Sequence, residues 1–299
     1  MRILGLLMGL IFGVAGAAAA PSGTVPIKKA CGEGVVLKIS SGAATQGSVL
    51  EVEVTGVNAG QQTNAQWDGR AMPLWRDPPA AGLRSLLAVD LEKPAGRYEW
   101  KLSWSGADGK ALTCSQPITV RTGTFPTERL SVENQYVHPE PEQEMRAAED
   151  QKKMKVIYDT VTPEVLWQGK FMLPLKGITT GKNFGRRRVL NGEARSPHTG
   201  VDFAAPAGTP VYATQAGKVA LAENLYYSGN TVVIDHGFGI YTLYAHLSEI
   251  EVEAGQAVAA SAEIGKVGAT GRVTGPHLHW GLTIDHARVN ALEIVKREP

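Results

Sequence analysis

The sequence predicts a mostly β protein with an N-terminal β-sandwich, a short helical linker and a C-terminal antiparallel β-sheet domain. Three observations lead to this prediction. Residues 31–122 contain short runs of alternating apolar and polar residues between glycine and proline clusters, and residues 142–160 form a charged stretch without either. From about residue 168 glycine is dense and strand patterns return. At 299 residues the chain is long enough for about two domains.

The first 20 residues stand apart from the rest of the chain. One arginine precedes an apolar run, and an A-x-A ending comes just before Pro21. This pattern predicts a secretory signal peptide cleaved near Ala20, with an uncleaved N-terminal anchor as the alternative. We therefore expect an exported protein of the periplasm, the cell envelope or the exterior, without a membrane span after cleavage. The 30 basic and 29 acidic residues nearly balance, which does not favour a nucleic-acid partner.

Export also affects the expected oxidation state of the two cysteines, Cys31 and Cys114. In an oxidising compartment the simple expectation is one disulfide, and the alternative is two buried free thiols. The bond would join the start of the first domain to a point near its end.

The first domain, residues 21–122, has the size and strand pattern of an immunoglobulin-like sandwich. The run RYEWKLSW at 97–104 places Tyr98, Trp100, Leu102 and Trp104 on one strand face. We interpret this aromatic face as core, with a carbohydrate-binding face as the alternative. Residues 123–167 are punctuated by proline and are interpreted as a linker whose helix, over roughly 142–160, is a semi-rigid connector with a solvated charged face.

The second domain, residues 168–299, is predicted to be a compact antiparallel sheet. GTPVYATQAGKVALAE reads as two strands around a turn at Ala216-Gly217, and NTVVIDHGFGIYTLYAHL as two more around 236–239. Asp235 and His236 are expected to shape that second turn. Alternation along TLYAHL predicts that Thr242, Tyr244 and His246 share one face of their strand.

Histidines concentrate in this half of the chain. In TGPHLHWG, residues 274–281, His277 and His279 share a strand face, and Leu278 lies on the other. His198 and Asp202 are four residues apart in a segment whose prolines and glycine disfavour a helix, so they also share a face. A hydrolytic zinc site keeps three protein ligands and one open position. His198, Asp202 and one histidine of the pair would supply three ligands.

The blocks HTGVDFAAPAGTPV, GNTVVIDHGFGIYTLYAHL and TGRVTGPHLHWG resemble the lysostaphin-type (LytM-like) zinc endopeptidases, which cut peptide bonds in peptidoglycan. The similarity covers roughly residues 170–290, and the upstream NFGRRR resembles the entry to the same domain. The first domain resembles the immunoglobulin-like modules that sometimes precede it, though far less specifically.

The resemblance implies a role for each motif residue. His198, Asp202 and His279 match the three ligands of one zinc ion, and His246 and His277 match the two catalytic histidines that are not ligands. We expect His246 to assist the attacking water and His277 to stabilise the transition state, with the reverse assignment left open. The implied function is an exported zinc endopeptidase that acts on peptidoglycan stem peptides or cross-bridges.

Two other functions are weighed against this one. The same fold could serve as a non-catalytic activator or scaffold for other wall hydrolases, although no ligand or histidine of the set is missing. A lipoyl- or biotinyl-type carrier is disfavoured because the lysine-bearing hairpin is absent. Arg186, Arg187 and Arg188 could meet an acidic wall peptide, but a solvated edge is the favoured interpretation. Asn183 and Tyr244 are expected to line a substrate groove or to be surface or packing residues.

Overall fold

A computed structural model of the protein describes residues 25–58, 60–76 and 82–297. The predicted signal peptide lies outside these residues. Within the described ranges no helix has both the length and the apolar character needed to cross a bilayer.

The first part of the chain folds into two antiparallel-rich sheets. Its strands are β1 (Ile27–Gly32), β2 (Val35–Ile39), β3 (Ala43–Thr45), β4 (Val49–Thr55), β5 (Thr63–Trp67), β6 (Arg70–Met72), β7 (Leu83–Ala88), β8 (Gly96–Ser105) and β9 (Ala111–Arg121). One sheet has the order β1-β2-β4-β7 and the other β3-β9-β8-β5-β6. The mostly β fold class and the N-terminal sandwich arrangement are therefore as predicted.

The aromatic face of β8 is the centre of the sandwich core. Trp100, Leu102 and Trp104 are at most 2% exposed and belong to one apolar cluster with Leu37 and Val52 of the opposite sheet. Burying each such side chain stabilises the fold by roughly 1.5–3 kcal/mol. The alternation of apolar and polar residues therefore determines which face of this strand is directed at the core. The interpretation of this face as core is confirmed.

A disulfide links the two sheets of the sandwich. Cys31, near the end of β1, is bonded to Cys114 in β9, and their Cα atoms are 5.4 Å apart. The predicted disulfide is thus confirmed. Because 83 residues separate the two cysteines, the bond constrains a long loop of the unfolded chain.

The linker contains strand β10 (Thr127–Leu130), a 3-10 turn (Asn134–Tyr136) and helix α1 (Pro141–Asp159). Proline is favourable in the first turn of a helix, and the Glu140 N–H donates to the Gln143 side chain, which closes a capping box. The helix is where the sequence predicts it, but it is not a free connector. Its apolar residues, at a spacing of three and four, pack on the second domain. They are Met154, Ile157 and Tyr158, against Leu221, Leu225, Val233 and Tyr241.

The remainder of the chain is the C-terminal sheet domain. Its elements are β11 (Arg187–Leu190), β12 (Glu193–Arg195), β13 (Gly200–Ala204), β14 (Pro210–Tyr212), β15 (Gly217–Leu225), β16 (Gly229–Asp235), β17 (Ile240–Ile250), β18 (Ala257–Val258), β19 (Glu263–Val267), β20 (His277–Ile284), β21 (Ala287–Val289) and α2 (Leu292–Val295). The main sheet has the order β13-β20-β17-β16-β15-β18. Strand β14 pairs with β19, β19 also pairs with β17, and β21 pairs with β20.

Two details of this domain differ from the predicted pattern. The strands on either side of Ala216 exist, but they do not form a hairpin, because β14 pairs with β19 and β15 with β16. Linker strand β10 runs parallel to β11 and is part of a small sheet with β11 and β12. The linker therefore contributes backbone to the C-terminal half, which local sequence patterns do not reveal.

The turn between β16 and β17 follows the prediction. Asp235 accepts a hydrogen bond from the Gly237 N–H at 2.8 Å. His236 is fully buried, with its ring nitrogens 2.8 Å from the Ala216 carbonyl and 2.7 Å from the Thr242 hydroxyl. Both residues therefore shape the turn.

Two kinds of contact fix the sandwich against the C-terminal domain. Arg288 donates to both carboxylate oxygens of Asp90, at 2.7 and 2.9 Å. At a second point Gly47 lies directly under the ring of Phe184, where a Cβ on the glycine would be 2.3 Å from Cε1. Gly47 also has φ of +77°, so a larger residue is disfavoured both by space and by backbone conformation.

Candidate metal centre

Three side chains predicted from sequence as ligands converge on one point. Nε2 of His198 lies 2.8 Å from Nδ1 of His279, and Oδ1 of Asp202 lies 3.0 Å from each of these nitrogens. The register places Asp202 of β13 directly opposite His279 of β20. Directly opposed residues of an antiparallel pair share a face, and His198 reaches the same face from four residues before Asp202.

A backbone carbonyl fixes the orientation of His198. Its Nδ1 lies 2.9 Å from the carbonyl oxygen of Asn183, and a carbonyl can only accept a hydrogen bond. Nδ1 therefore carries the proton, and Nε2 directs a lone pair at the cluster. Asn183 has φ of 77°, a left-handed conformation that asparagine tolerates better than most residues. Asn183 also lines the same cavity as Asp202, in agreement with the groove-lining alternative, and it contributes a backbone carbonyl that the sequence did not predict.

Gly200 makes room for the ring of His279. A Cβ at this position would lie 2.6 Å from both Cε1 and Nε2 of the imidazole. Sequence reasoning did not single out this glycine. The available signal is its position two residues before Asp202, on the strand face that carries the cluster.

The donor set fits a divalent cation. An ionised Asp202 carboxylate can only accept hydrogen bonds, and Nε2 of His198 directs a lone pair at the same place. A single proton on His279 therefore cannot satisfy all three contacts among these atoms. Burial by itself raises the pKa of the Asp202 carboxyl, but the His198 and His279 imidazoles outweigh it and hold that pKa far below its usual range. Burial lowers the pKa of His279 to about 4, so its imidazole is neutral at pH 7. Two imidazoles and a carboxylate are ligands that zinc accepts.

Two further histidines lie beside the cluster without being part of it. Nδ1 of His246 is 2.8 Å from the Thr270 carbonyl, and Nδ1 of His277 is 2.8 Å from the Gly275 carbonyl. Their ring centroids are 4.9 Å apart, and Nε2 of His277 is 3.7 Å from Oδ1 of Asp202. The structure thus brings together all five residues selected from the sequence. Burial lowers the pKa of His246 to about 3.

The strand face predicted for His246 is wrong. Tyr244 is fully buried in the main core with its hydroxyl 2.9 Å from Thr214, whereas the ring of His246 is on the opposite face beside His277. His246 has φ of 64°, within a bulge where β17 advances three residues while β16 advances two. One left-handed residue breaks the alternation and turns the imidazole to the site. Tyr244 is therefore a packing residue rather than part of a groove.

Asp202 of the cluster lines an open cleft of about 470 Å³, together with His246 and His277. Its wall includes Arg188, whose guanidinium is 4.0 Å from Oδ2 of Asp202 and whose side chain is only 20% exposed. The favoured interpretation of the arginine run as a solvated edge is wrong for this residue. It is wrong because β11 pairs with the linker strand β10, so that both strands form one side of the cleft. Arg187 does remain exposed, and Arg186 pairs with Glu128 at 2.7 Å.

The chain is similar in sequence to known peptidases. The sequence model of Peptidase family M23 matches residues 196–291. The peptidoglycan DD-endopeptidase ShyA of Vibrio cholerae is 49% identical over 112 residues, which are 37% of this chain and 26% of ShyA. The DD-carboxypeptidase/endopeptidase Mpg of Neisseria meningitidis is 44% identical over 102 residues, 34% of this chain and 24% of Mpg.

A solved structure extends the similarity beyond the matched segment. A crystal structure from Pseudomonas aeruginosa, described as a peptidase M23, superposes with a TM-score of 0.64 at 28% identity, covering 84% of this chain and 94% of that one. The chain spans about a quarter of the length of the curated relatives named above. All five site residues lie within the matched segment. Residues 196–291 of the chain therefore form a peptidase domain of family M23.

Proposed function

We propose that this protein is an exported, zinc-dependent endopeptidase that hydrolyses peptide bonds in peptidoglycan stem peptides or cross-bridges. The observation that supports this most strongly is the convergence of His198, Asp202 and His279 beside an open cleft. Asp202 and the two further imidazoles, His246 and His277, line that cleft. ShyA and Mpg, which are similar to this chain over about 100 residues, are named as endopeptidases.

We further propose that His198, Asp202 and His279 hold one Zn²⁺ ion. A zinc ion bound by this set would supply Lewis acidity, polarising a peptide carbonyl and lowering the pKa of a water molecule. The chain contributes an ionised carboxylate and correctly oriented imidazoles. The Asn183 carbonyl orients His198, and Gly200 leaves space for the ring of His279.

His246 is the better candidate for the general base. Its Nδ1 proton is directed at the Thr270 carbonyl, so Nε2 carries the lone pair that would accept a proton from the attacking water. Burial keeps this imidazole neutral at physiological pH. His277 is more exposed and its Nε2 lies 3.7 Å from Oδ1 of Asp202, and we assign it to stabilisation of the developing oxyanion. We propose this division of roles on those grounds.

The proposed location is the periplasm or cell envelope. The disulfide between Cys31 and Cys114 supports it, because such bonds persist in oxidising compartments and are rare in the cytosol. Peptidoglycan peptides, the proposed substrate, are present in the same place.

The test is digestion of purified peptidoglycan by the zinc-loaded protein, followed by mass spectrometry of the released fragments. We expect new peptide termini within stem peptides or cross-bridges, loss of cleavage with a chelator, and recovery with added Zn²⁺. If zinc is bound and no peptide bond is cut, the endopeptidase proposal fails. Stimulation of a second wall hydrolase by that inactive protein would then favour the activator function.

A further inference from the structure

Two arginines that line the cleft have no role in the proposed chemistry. Arg188 comes from β11, and Arg272 comes from the loop that leads into β20. Both line the same cavity as Asp202, His246 and His277. A bound peptide would therefore meet both guanidinium groups close to its scissile bond.

Arg272 has no carboxylate partner among the residues that the structure describes. Its guanidinium lies over the ring of Tyr227, 4.6 Å from the centroid, and its backbone N–H donates to the Tyr227 carbonyl. Burial lowers the pKa of Arg272, and the charges of Arg188 and Arg195 act in the same direction. A guanidinium nevertheless stays charged, so this side chain is a partly desolvated cation held near other cations.

The acidic groups of the cleft are already engaged. Glu128 accepts a hydrogen bond from Arg186 at 2.7 Å, and Oδ1 of Asp202 faces the two ligand histidines at 3.0 Å. Arg188 is 4.0 Å from Oδ2 of Asp202, which is beyond hydrogen-bonding distance, and its buried Nε has no hydrogen-bond partner. The cleft therefore presents cationic donors that the protein itself does not satisfy.

We infer that Arg272 and Arg188 form a subsite for a free carboxylate of the substrate peptide. This inference rests on the proposed endopeptidase function and specifies the substrate class. A planar guanidinium matches a carboxylate through paired hydrogen bonds, and an unpaired buried cation is costly until an anion arrives. The enzyme then prefers peptides that have a free carboxylate near the scissile bond. Peptides amidated at that carboxylate, and cross-bridges without charge, are cleaved less well.

The experiment compares a matched pair of cross-linked stem peptides, one with free carboxylates and one with the same carboxylates amidated. The wild-type protein, Arg272→Gln and the control Arg187→Gln are assayed as the zinc-loaded full chain. The control Arg187→Gln removes the same charge as Arg272→Gln, from strand β11. The Arg187 side chain is 47% exposed and lies outside the cleft lining. Equal zinc content and matching circular dichroism establish that each variant is folded.

We expect the wild type and Arg187→Gln to favour the acid over the amide by about 10–100-fold in kcat/KM, mainly through KM, as expected for a hydrogen bond between charged groups. In Arg272→Gln this ratio should fall towards one. Arg272→Lys keeps the charge without the planar fork and should retain an intermediate ratio.

Equal cleavage of the two peptides by the wild type would overturn the carboxylate subsite while leaving the endopeptidase function intact. An unchanged acid-to-amide ratio in Arg272→Gln would also overturn it. Cleavage of neither peptide by the zinc-loaded wild type would count against the endopeptidase function itself, and against the subsite with it. The three failures are therefore distinguishable.

Discussion

The sandwich and the C-terminal domain are both built from antiparallel sheets, yet they differ in what they bury. Among the described residues, the buried polar side chains of the sandwich are Ser41 and Ser85. Those of the C-terminal domain are His198, Thr214, Gln215, Thr231, Asp235, His236, Thr242, His246 and Thr283. The C-terminal domain thus buries many polar side chains, whereas the sandwich buries few.

The difference shows how a sheet can be adapted for chemistry. The buried indole N–H groups of Trp100 and Trp104 in the sandwich, and of Trp280 in the C-terminal domain, have no hydrogen-bond partner, so these rings contribute mainly through apolar burial. In the C-terminal domain four histidines are oriented by carbonyl or hydroxyl partners at 2.7–2.9 Å, namely His198, His236, His246 and His277. Buried polar groups are tolerated when they are satisfied, and satisfied groups have fixed orientations.

The strongest contrast between the two domains comes from His279→Ala. We expect bound zinc and peptide hydrolysis both to fall to background, because one of three converging donors is lost. The fold should persist, since the ring lies on the cleft side rather than in the main core. Metal analysis and circular dichroism measure the two effects. Zinc binding at the wild-type level would remove His279 from the proposed ligand set.

His246→Ala should separate catalysis from metal binding. We expect kcat to fall by about 10²–10⁴-fold, the usual contribution of a general base, with zinc content unchanged. His138→Ala is the matched control, because His138 is 59% exposed in the linker, where it pairs with Glu193. Wild-type turnover in a zinc-loaded His246→Ala protein would contradict the assigned role.

Leu102→Ala in the sandwich should lower stability without changing zinc binding or catalysis. Leu102 is completely buried, and truncating it should lower the free energy of unfolding of the sandwich by about 2–5 kcal/mol. Zinc content and kcat per folded chain should not change. Denaturant titration followed by tryptophan fluorescence measures the loss. If zinc is lost in proportion while the chain remains folded, the sandwich core affects the metal centre directly.

The buried His236 predicts an acid-dependent loss of stability in the C-terminal domain. Burial lowers its pKa to about 4, whereas an unfolded histidine titrates near 6.5. Between these values the unfolded chain binds more protons, so stability falls as the pH drops from about 6.5 to 4 and then levels off, by roughly 3 kcal/mol. Thermal melts across this range should show the slope.

The matched variant is His236→Gln, which does not titrate there. Its melting temperature should depend less on pH over the same window than that of the wild type. Identical slopes in the two proteins would assign the acid sensitivity to other groups.

Much of this architecture is predictable because it depends on local periodicity. Alternation alone identifies the aromatic core face of β8, and the stretch without glycine or proline locates α1. The five site residues are identified by short motifs that resemble a known family, and the structure brings them together.

What the sequence does not predict depends on single torsion angles or on distant contacts. One φ angle at His246 changes the face on which its ring lies. The environment of Arg188 depends on parallel pairing between β10 and β11, whose partners are about 60 residues apart in the chain. The role of Gly200 is visible only when His279 is placed opposite Asp202. Periodicity contains no information about any of these.

The contact between Gly47 and Phe184 limits how this chain could exchange modules during evolution. Phe184 directly follows Asn183, whose carbonyl orients His198, so a residue of the sandwich supports the loop that shapes the active centre. A peptidase domain transplanted to a different N-terminal module would need another surface for Phe184, or another residue in its place. In this respect the sandwich and the C-terminal domain depend on each other's surfaces.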